Sequence, residues 1–138
     1  MKYKYLDHTA DVMFEAYGNS LNRLFENCAL ATEGTMIDLK EINPNVIKKV
    51  ELKNQNVETL LYDFLSELVY FKDAELLLFS IIKVEVTKNK IYNLKAVLHG
   101  EKLNKKHSQK VDVKAVTFHK FEIKKRAKDY IARVILDI

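Results

Sequence analysis

Apolar and polar residues alternate along the first stretch of the chain. From Tyr3 to Tyr17 the period is close to two, with Val12, Phe14 and Ala16 on one face, which predicts a strand or a hairpin. Gly18-Asn19-Ser20 interrupts the alternation and supplies a helix N-cap. Leu21, Leu24, Phe25, Cys28 and Ala31 or Thr32 then fall at helical spacing, predicting a first helix to about residue 33 with Gly34 as its C-cap. After Pro44, Val46 to Leu52 reads as a strand. Asn56 caps a second helix, whose Leu60, Leu61, Phe64, Leu65, Leu68 and Phe71 form one broad, deeply buried side. The rest reads as β. Leu76 to Thr87 and Ile91 to His99 are strands joined by the turn Lys88-Asn89-Lys90, and Lys110 to Phe118, Phe121 to Lys125 and Tyr130 to Asp137 follow as further strands.

Two amphipathic helices among about seven strands, with strands in consecutive runs, predict an α+β fold rather than a doubly wound one. The helices are expected on one side of a mainly antiparallel sheet. A chain of 138 residues without internal repeat or low-complexity linker is expected to be a single domain, 1–138, large enough to bury a core.

Composition changes this picture little. Apolar content of 48% and charged content of 30% are those of an ordinary globular protein. The longest apolar run, Leu76-Leu77-Leu78-Phe79-Ser80-Ile81-Ile82, is too short to span a bilayer, and Met1-Lys2-Tyr3-Lys4 lacks the apolar core of a signal peptide. The single cysteine, Cys28, forms no internal disulfide and is expected as a small buried hydrophobe, which fits a reducing cytoplasm. Charge is uneven. Residues 101–128 hold ten Lys/Arg against three Asp/Glu, whereas the remainder holds thirteen against sixteen. The basic segment either attracts RNA or an acidic protein surface, or simply keeps Lys-rich loops and strand edges soluble.

Common catalytic motifs are absent. The sequence has no GxxxxGK[ST] loop, no GxGxxG, no CxxC pair and no nucleophile-elbow serine. His8, His99, His107 and His119 are well separated and form no HxH or HxxxH pair. The more informative features are the two ends. Leu136-Asp137-Ile138 closes an apolar strand on a carboxylate next to the terminal carboxylate, and His8-Thr9-Ala10-Asp11 lies in strand-like sequence near the start. If the ends meet, three carboxylates converge, and oxygen-only clusters bind hard cations such as Ca²⁺ or Mg²⁺. Taken singly, Asp11 reads as a turn or cap residue, Asp137 as a solvated acid, Lys114 as an outward-pointing strand residue and His8 as a hydrogen-bonding group.

Taken together, the segments Tyr5-Leu6-Asp7-His8-Thr9-Ala10-Asp11, Val113-Lys114-Ala115-Val116-Thr117-Phe118-His119 and Ala132-Arg133-Val134-Ile135-Leu136-Asp137-Ile138 resemble the archease family in order and spacing. The helix Leu21-Asn22-Arg23-Leu24-Phe25-Glu26, the stretch Glu58-Thr59-Leu60-Leu61-Tyr62-Asp63-Phe64-Leu65 and His99-Gly100-Glu101 add to the match. Tyr130 departs from it, where many members have Trp, as does the Gly-poor link Lys106-His107-Ser108-Gln109-Lys110. The resemblance implies a small archease-like α+β domain that activates an RtcB-type RNA ligase of tRNA splicing. Such a protein promotes the ligase's guanylylation and multiple turnover and is not itself an enzyme. It also implies a divalent cation, Ca²⁺ first with Mg²⁺ or Mn²⁺ as alternatives, held by Asp11, Asp137 and the terminal carboxylate of Ile138. Lys114, and with it His8, would contact the ligase or its nucleotide. The 101–128 region would face the ligase or, indirectly, tRNA. The alternative is a general RNA-binding or chaperone module serving tRNA-processing or tRNA-modifying enzymes.

Overall fold

The computed structural model describes residues 1–7 and 10–138; His8, one of the candidate contact residues, lies outside them. Among the described residues, seven strands and two α-helices follow in the order β1 (Tyr3–Leu6), β2 (Val12–Gly18), α1 (Leu21–Met36), β3 (Val46–Asn54), α2 (Val57–Glu75), β4 (Leu77–Lys88), β5 (Tyr92–Lys102), β6 (Ala115–Lys125) and β7 (Tyr130–Asp137), with a 3₁₀ turn at Leu39–Glu41. The α+β class holds, and every strand pairing is antiparallel. The strands divide, however, into two sheets: four strands ordered β1-β2-β7-β6 and three ordered β3-β5-β4. Helix α1 packs on β2 and β7 of one sheet and on β4 of the other; α2 likewise packs on β6 and on β3, β4 and β5. The core therefore lies around the helices, where Phe14, Leu24, Phe25, Phe64, Leu68, Phe79 and Leu98 are fully buried. Cys28 is buried with them, and burial drives its thiol pKa upward.

Local chemistry explains most boundaries. Ser20 caps α1 by accepting the Arg23 N–H at 3.2 Å, and Asn56 caps α2 by accepting the Thr59 N–H at 2.9 Å. Helix α2 stops at Leu76, which takes the left-handed conformation with φ 56°. Gly34 does not end α1. The helix runs two residues further, and Gly34 instead leaves room for the Tyr3 and Tyr5 hydroxyls, which would lie 3.2 and 3.4 Å from a Cβ there. Tyr5 uses this approach to donate to the Ala31 carbonyl at 2.9 Å.

Two expected strands merge. Residues 115–125 form the single strand β6, its pairing with β7 interrupted between Thr117 and Glu122, with Lys120 at φ 54°. Residues 110–114 belong to no strand. Lys110 gives its N–H to the Met36 carbonyl at 2.8 Å, so this stretch is tied to the end of α1 at its start and joins no ladder of its own.

Helix α1 also closes a sheet edge. The Val86, Val84 and Phe79 N–H groups of β4 donate to Asn22 Oδ1 (2.7 Å), Glu26 Oε2 (2.9 Å) and Glu33 Oε2 (2.8 Å). Positions 22, 26 and 33 are four and seven apart, hence on one helix face. Polar side chains in the apolar register of α1 thereby occupy donors that an open strand edge would offer to another chain.

Candidate functional site

The last cross-strand pair between β2 and β7 is Val12 with Leu136. Asp11 and Asp137 are the next residue on each side, so the register brings the two acids to the same corner of the four-stranded sheet. Ala115 of β6 pairs with Asp137 from the other flank, and the Lys114 N–H donates to the Asp137 carbonyl at 2.8 Å. Ile138 is half-buried and packs against the core, which fixes the position of the chain end. Asp11 and Asp137 are both half-buried, and Lys114 is exposed. Asp11 also lines a shallow groove of about 360 Å³ together with Tyr5, Asp7, Thr35, Lys110 and Val111.

Leu136 is fully buried and Val116 nearly so, and both face the core. Strand alternation turns their neighbour Asp137 to the opposite face. Among the described residues, no three His, Cys, Asp or Glu side chains converge as a metal-binding group. The donors that the register places at the corner are the side-chain carboxylates of Asp11 and Asp137. Such hard, anionic oxygens suit a calcium- or magnesium-like ion and would bind a soft one poorly.

The corner is supported by the long connection between β5 and β6. His107 Nδ1 accepts the Asn104 N–H at 3.0 Å, so Nε2 carries the proton that it shares with Glu101 Oε1 at 2.9 Å. The hydrogen bond from His107, joined by those from the Asn43 N–H and Lys106, pushes the Glu101 carboxyl down to about 2. Further on, the buried Lys72 of α2 donates to the Val113 carbonyl at 2.8 Å and pairs with Asp112 and Asp73. Burial works against its charge, but the hydrogen bonds that it donates to Asp112 and Asp73 prevail and raise its pKa above the ordinary lysine value.

Glu33 is buried more completely than Lys72 or Glu26. Burial pushes its carboxyl up to about 8, against the opposing effects of the Phe79 N–H and Lys72, and its Oε1 has no hydrogen-bond partner. The folded chain thus holds this proton more tightly than the unfolded chain, whose carboxyl titrates near 4.5. The stability contributed by the protonated form is complete below about pH 4.5 and is lost as pH rises through about 8. We expect Glu33→Gln to flatten the fall in unfolding free energy across that window, measured by urea titration at several pH values. An unchanged slope would show that Glu33 is already ionised in the folded chain.

Lys72, Glu33 and the Glu101–His107 pair do not stand out as motifs. Their one sequence signal is a charged residue in an apolar helical register: Lys72 continues the line Leu61, Leu65, Leu68, and Glu33 follows Glu26 and Ala29. An exposed aromatic stack also escapes pattern reading. Phe118 is 50% exposed and lies on Tyr62 with ring centroids 4.2 Å apart, within the interrupted part of β6.

No helix among the described residues is long and apolar enough to cross a membrane. The profile of the Archease protein family matches residues 3–138. The protein archease of Methanosarcina acetivorans is 39% identical over 140 residues, covering 99% of this chain and 96% of its own. That of Archaeoglobus fulgidus is 39% identical over 138 residues and covers both chains fully. Among solved structures, a Methanobacterium thermoautotrophicum protein superposes with TM-score 0.85 at 36% identity, covering 99% of this chain and 98% of its own. A Thermotoga maritima protein described as an archease and possible chaperone shares the fold alone, with TM-score 0.66 at 18% identity over 98% of this chain and 96% of its own. With the profile spanning nearly every residue and full-length relatives well above the threshold of chance, the chain belongs to the archease family.

Proposed function

We propose that this protein is a helper, without ligase chemistry of its own, that activates an RtcB-type RNA ligase of tRNA splicing in the cytoplasm. The observation that carries the reading is the corner where Asp11 and Asp137 flank the last β2–β7 pair beside a packed chain end and Lys114. Asp11, Asp137 and the Ile138 carboxylate would hold the divalent cation, calcium in the first instance, and when bound it supplies a concentrated positive charge at the protein surface. The chain's own residues do the rest. Lys114, anchored through its N–H to Asp137, presents its ammonium beside that charge, toward the ligase or the nucleotide the ligase carries. Guanylylation concentrates phosphate charge, and cations placed beside it would stabilise that charge as it develops. Membership of the archease family, and the description of the Thermotoga relative as a possible chaperone, agree with a helper role.

The test is a turnover assay. With GTP and RNA carrying broken ends, the protein alone should join nothing. Added below the ligase's concentration, it should raise the number of ligation events per ligase molecule. Joining by the protein alone, or no change in ligase turnover, would reject this reading.

One observation favours the second reading, an RNA-binding module. The half-exposed ring of Phe118, stacked on Tyr62, adjoins the exposed His119 and Lys120 in the basic segment. Aromatic rings flanked by cations suit single-stranded bases and phosphates. Salt-dependent RNA binding without the ligase, lost in Phe118→Ala, would favour it over the first.

A further inference from the structure

Helix α2 buries an ammonium where its apolar line predicts a hydrophobe. Lys72 stands one helical repeat beyond Leu61, Leu65 and Leu68, and is 6% exposed. Burying a charge is costly unless every donor is matched. Here the matches are three for three donors: Asp73 on the same helix, and Asp112 and the Val113 carbonyl on the connection leading to β6. Two of the three partners thus lie in the two residues immediately before Lys114. The next backbone link, the Lys114 N–H to the Asp137 carbonyl at 2.8 Å, joins that connection to the end of β7.

We propose that Lys72 is the positioning residue of the functional corner: it clamps residues 112–113 onto α2 and so sets where Lys114 and Asp137 stand. This rests on the functional reading above. The path is short and wholly hydrogen-bonded, from Lys72 Nζ to the Val113 carbonyl, across one peptide to the Lys114 N–H, and on to Asp137. Val113 is itself fully buried, so the clamp acts on a segment with little freedom to adjust. Residues 103–114 form no strand between β5 and β6, and besides this clamp their register depends on ties near residues 107–110. Without Lys72, residues 111–114 would keep only the Lys110 and Lys114 backbone bonds at their two ends and the burial of Val113.

The test contrasts the two acids that Lys72 holds. Asp73 lies on α2 and Asp112 on the connection, and both are largely exposed. A purely structural charge would respond alike to the loss of either. A positioning clamp responds to Asp112. In Lys72→Met, hydrogen exchange at the Lys114 amide should accelerate, and calcium affinity by calorimetry should fall about tenfold, as for the loss of an outer-shell support. Ligase stimulation should fall in parallel. Asp112→Asn should shift all three in the same direction by less, Asp73→Asn should leave them unchanged, and Lys72→Arg should restore most of the loss. If Lys72→Met does not fold, the Asp112→Asn and Asp73→Asn pair decides. Equal effects of those two variants, or a folded Lys72→Met with native exchange at Lys114, would overturn the proposal. Should the unmodified protein neither bind calcium nor stimulate the ligase, the functional reading fails. The Lys114 exchange measurement then still decides whether Lys72 positions that residue.

Discussion

Asp137→Asn and Asp11→Asn should each lose about 100-fold or more in calcium affinity, beyond what outer-shell partners typically contribute, and should abolish stimulation of the ligase. The cause is the make-up of the corner. In the proposed site each acid supplies a full negative charge to the cation, and an amide in its place keeps the shape while removing that charge. The stability of Asp137→Asn should change by no more than about 1 kcal/mol, since Asp137 is only half-buried and losing one of two neighbouring acids relieves like-charge repulsion. A tag fused after Ile138 should act on metal binding in the same way, by turning the terminal carboxylate into an amide, whereas a tag before Met1 should not. Calorimetry on the four proteins, with thermal melts as control, reads these effects apart. Full stimulation by both acidic variants would move the working surface elsewhere, with the basic 101–128 segment next in line.

The amino-acid sequence carries some of the relations that build this corner and not others. Helix α2 was legible because its stripe from Leu60 to Phe71 reports burial directly, and burial is what a period of 3.6 encodes. Gly34 was misleading. Residue type suggested a cap, but the helix continues to Met36, and the missing side chain leaves room for two tyrosine hydroxyls. Residues 110–114 show the limit of alternation. Val113 is buried and Val111 exposed, and Asp112 and Lys114 are exposed too, yet the backbone bonds of this stretch go to the end of α1, to Lys72 and to the end of β7 rather than along a ladder. Alternation reports which way side chains face, not which strand is the partner. The same holds for β6, where Phe118 and Phe121 read as parts of two strands because the interrupted pairing between them leaves no compositional mark. The meeting of Asp11 with Asp137 joins residues more than a hundred positions apart. No local pattern carries that: the acidic residues near the two ends raised it only as a condition, and the ordered resemblance to the archease family implied it. One sheet was expected and two are present because α1 and α2 each touch both, a relation between elements rather than within them.

Gly100→Ala should be among the most damaging single-methyl changes in the chain, costing about 3 kcal/mol or more. Its φ is not positive, so the requirement is for space rather than conformational freedom. Gly100 pairs with Val46 on one side and Phe79 on the other, in the middle strand of the three-stranded sheet and beside the irregularity between Phe79 and Ile81. A Cβ built there would lie 2.0 Å from the Leu78 carbonyl oxygen and 2.8 Å from both the Leu78 carbonyl carbon and the Phe79 Cα. All three are backbone atoms, which cannot swing aside as a flexible side chain does. Relief requires β4 to move away from β5, and β4 is pinned from its far edge by Glu33 and Glu26. The strand is therefore held between a new clash and existing hydrogen bonds. We expect the melting temperature to drop by roughly 10 °C or more, given about 2–4 °C per kcal/mol near this chain length, with a matching fall in the urea midpoint. Gly34→Ala is the control. Its Cβ would meet only the Tyr3 and Tyr5 hydroxyls, which sit at the ends of movable side chains, and an alanine gains up to about 1 kcal/mol of helix propensity over glycine. That variant should melt within a few degrees of the unmodified protein. If Gly100→Ala does the same, β4 can shift far more freely than its pinning by α1 implies.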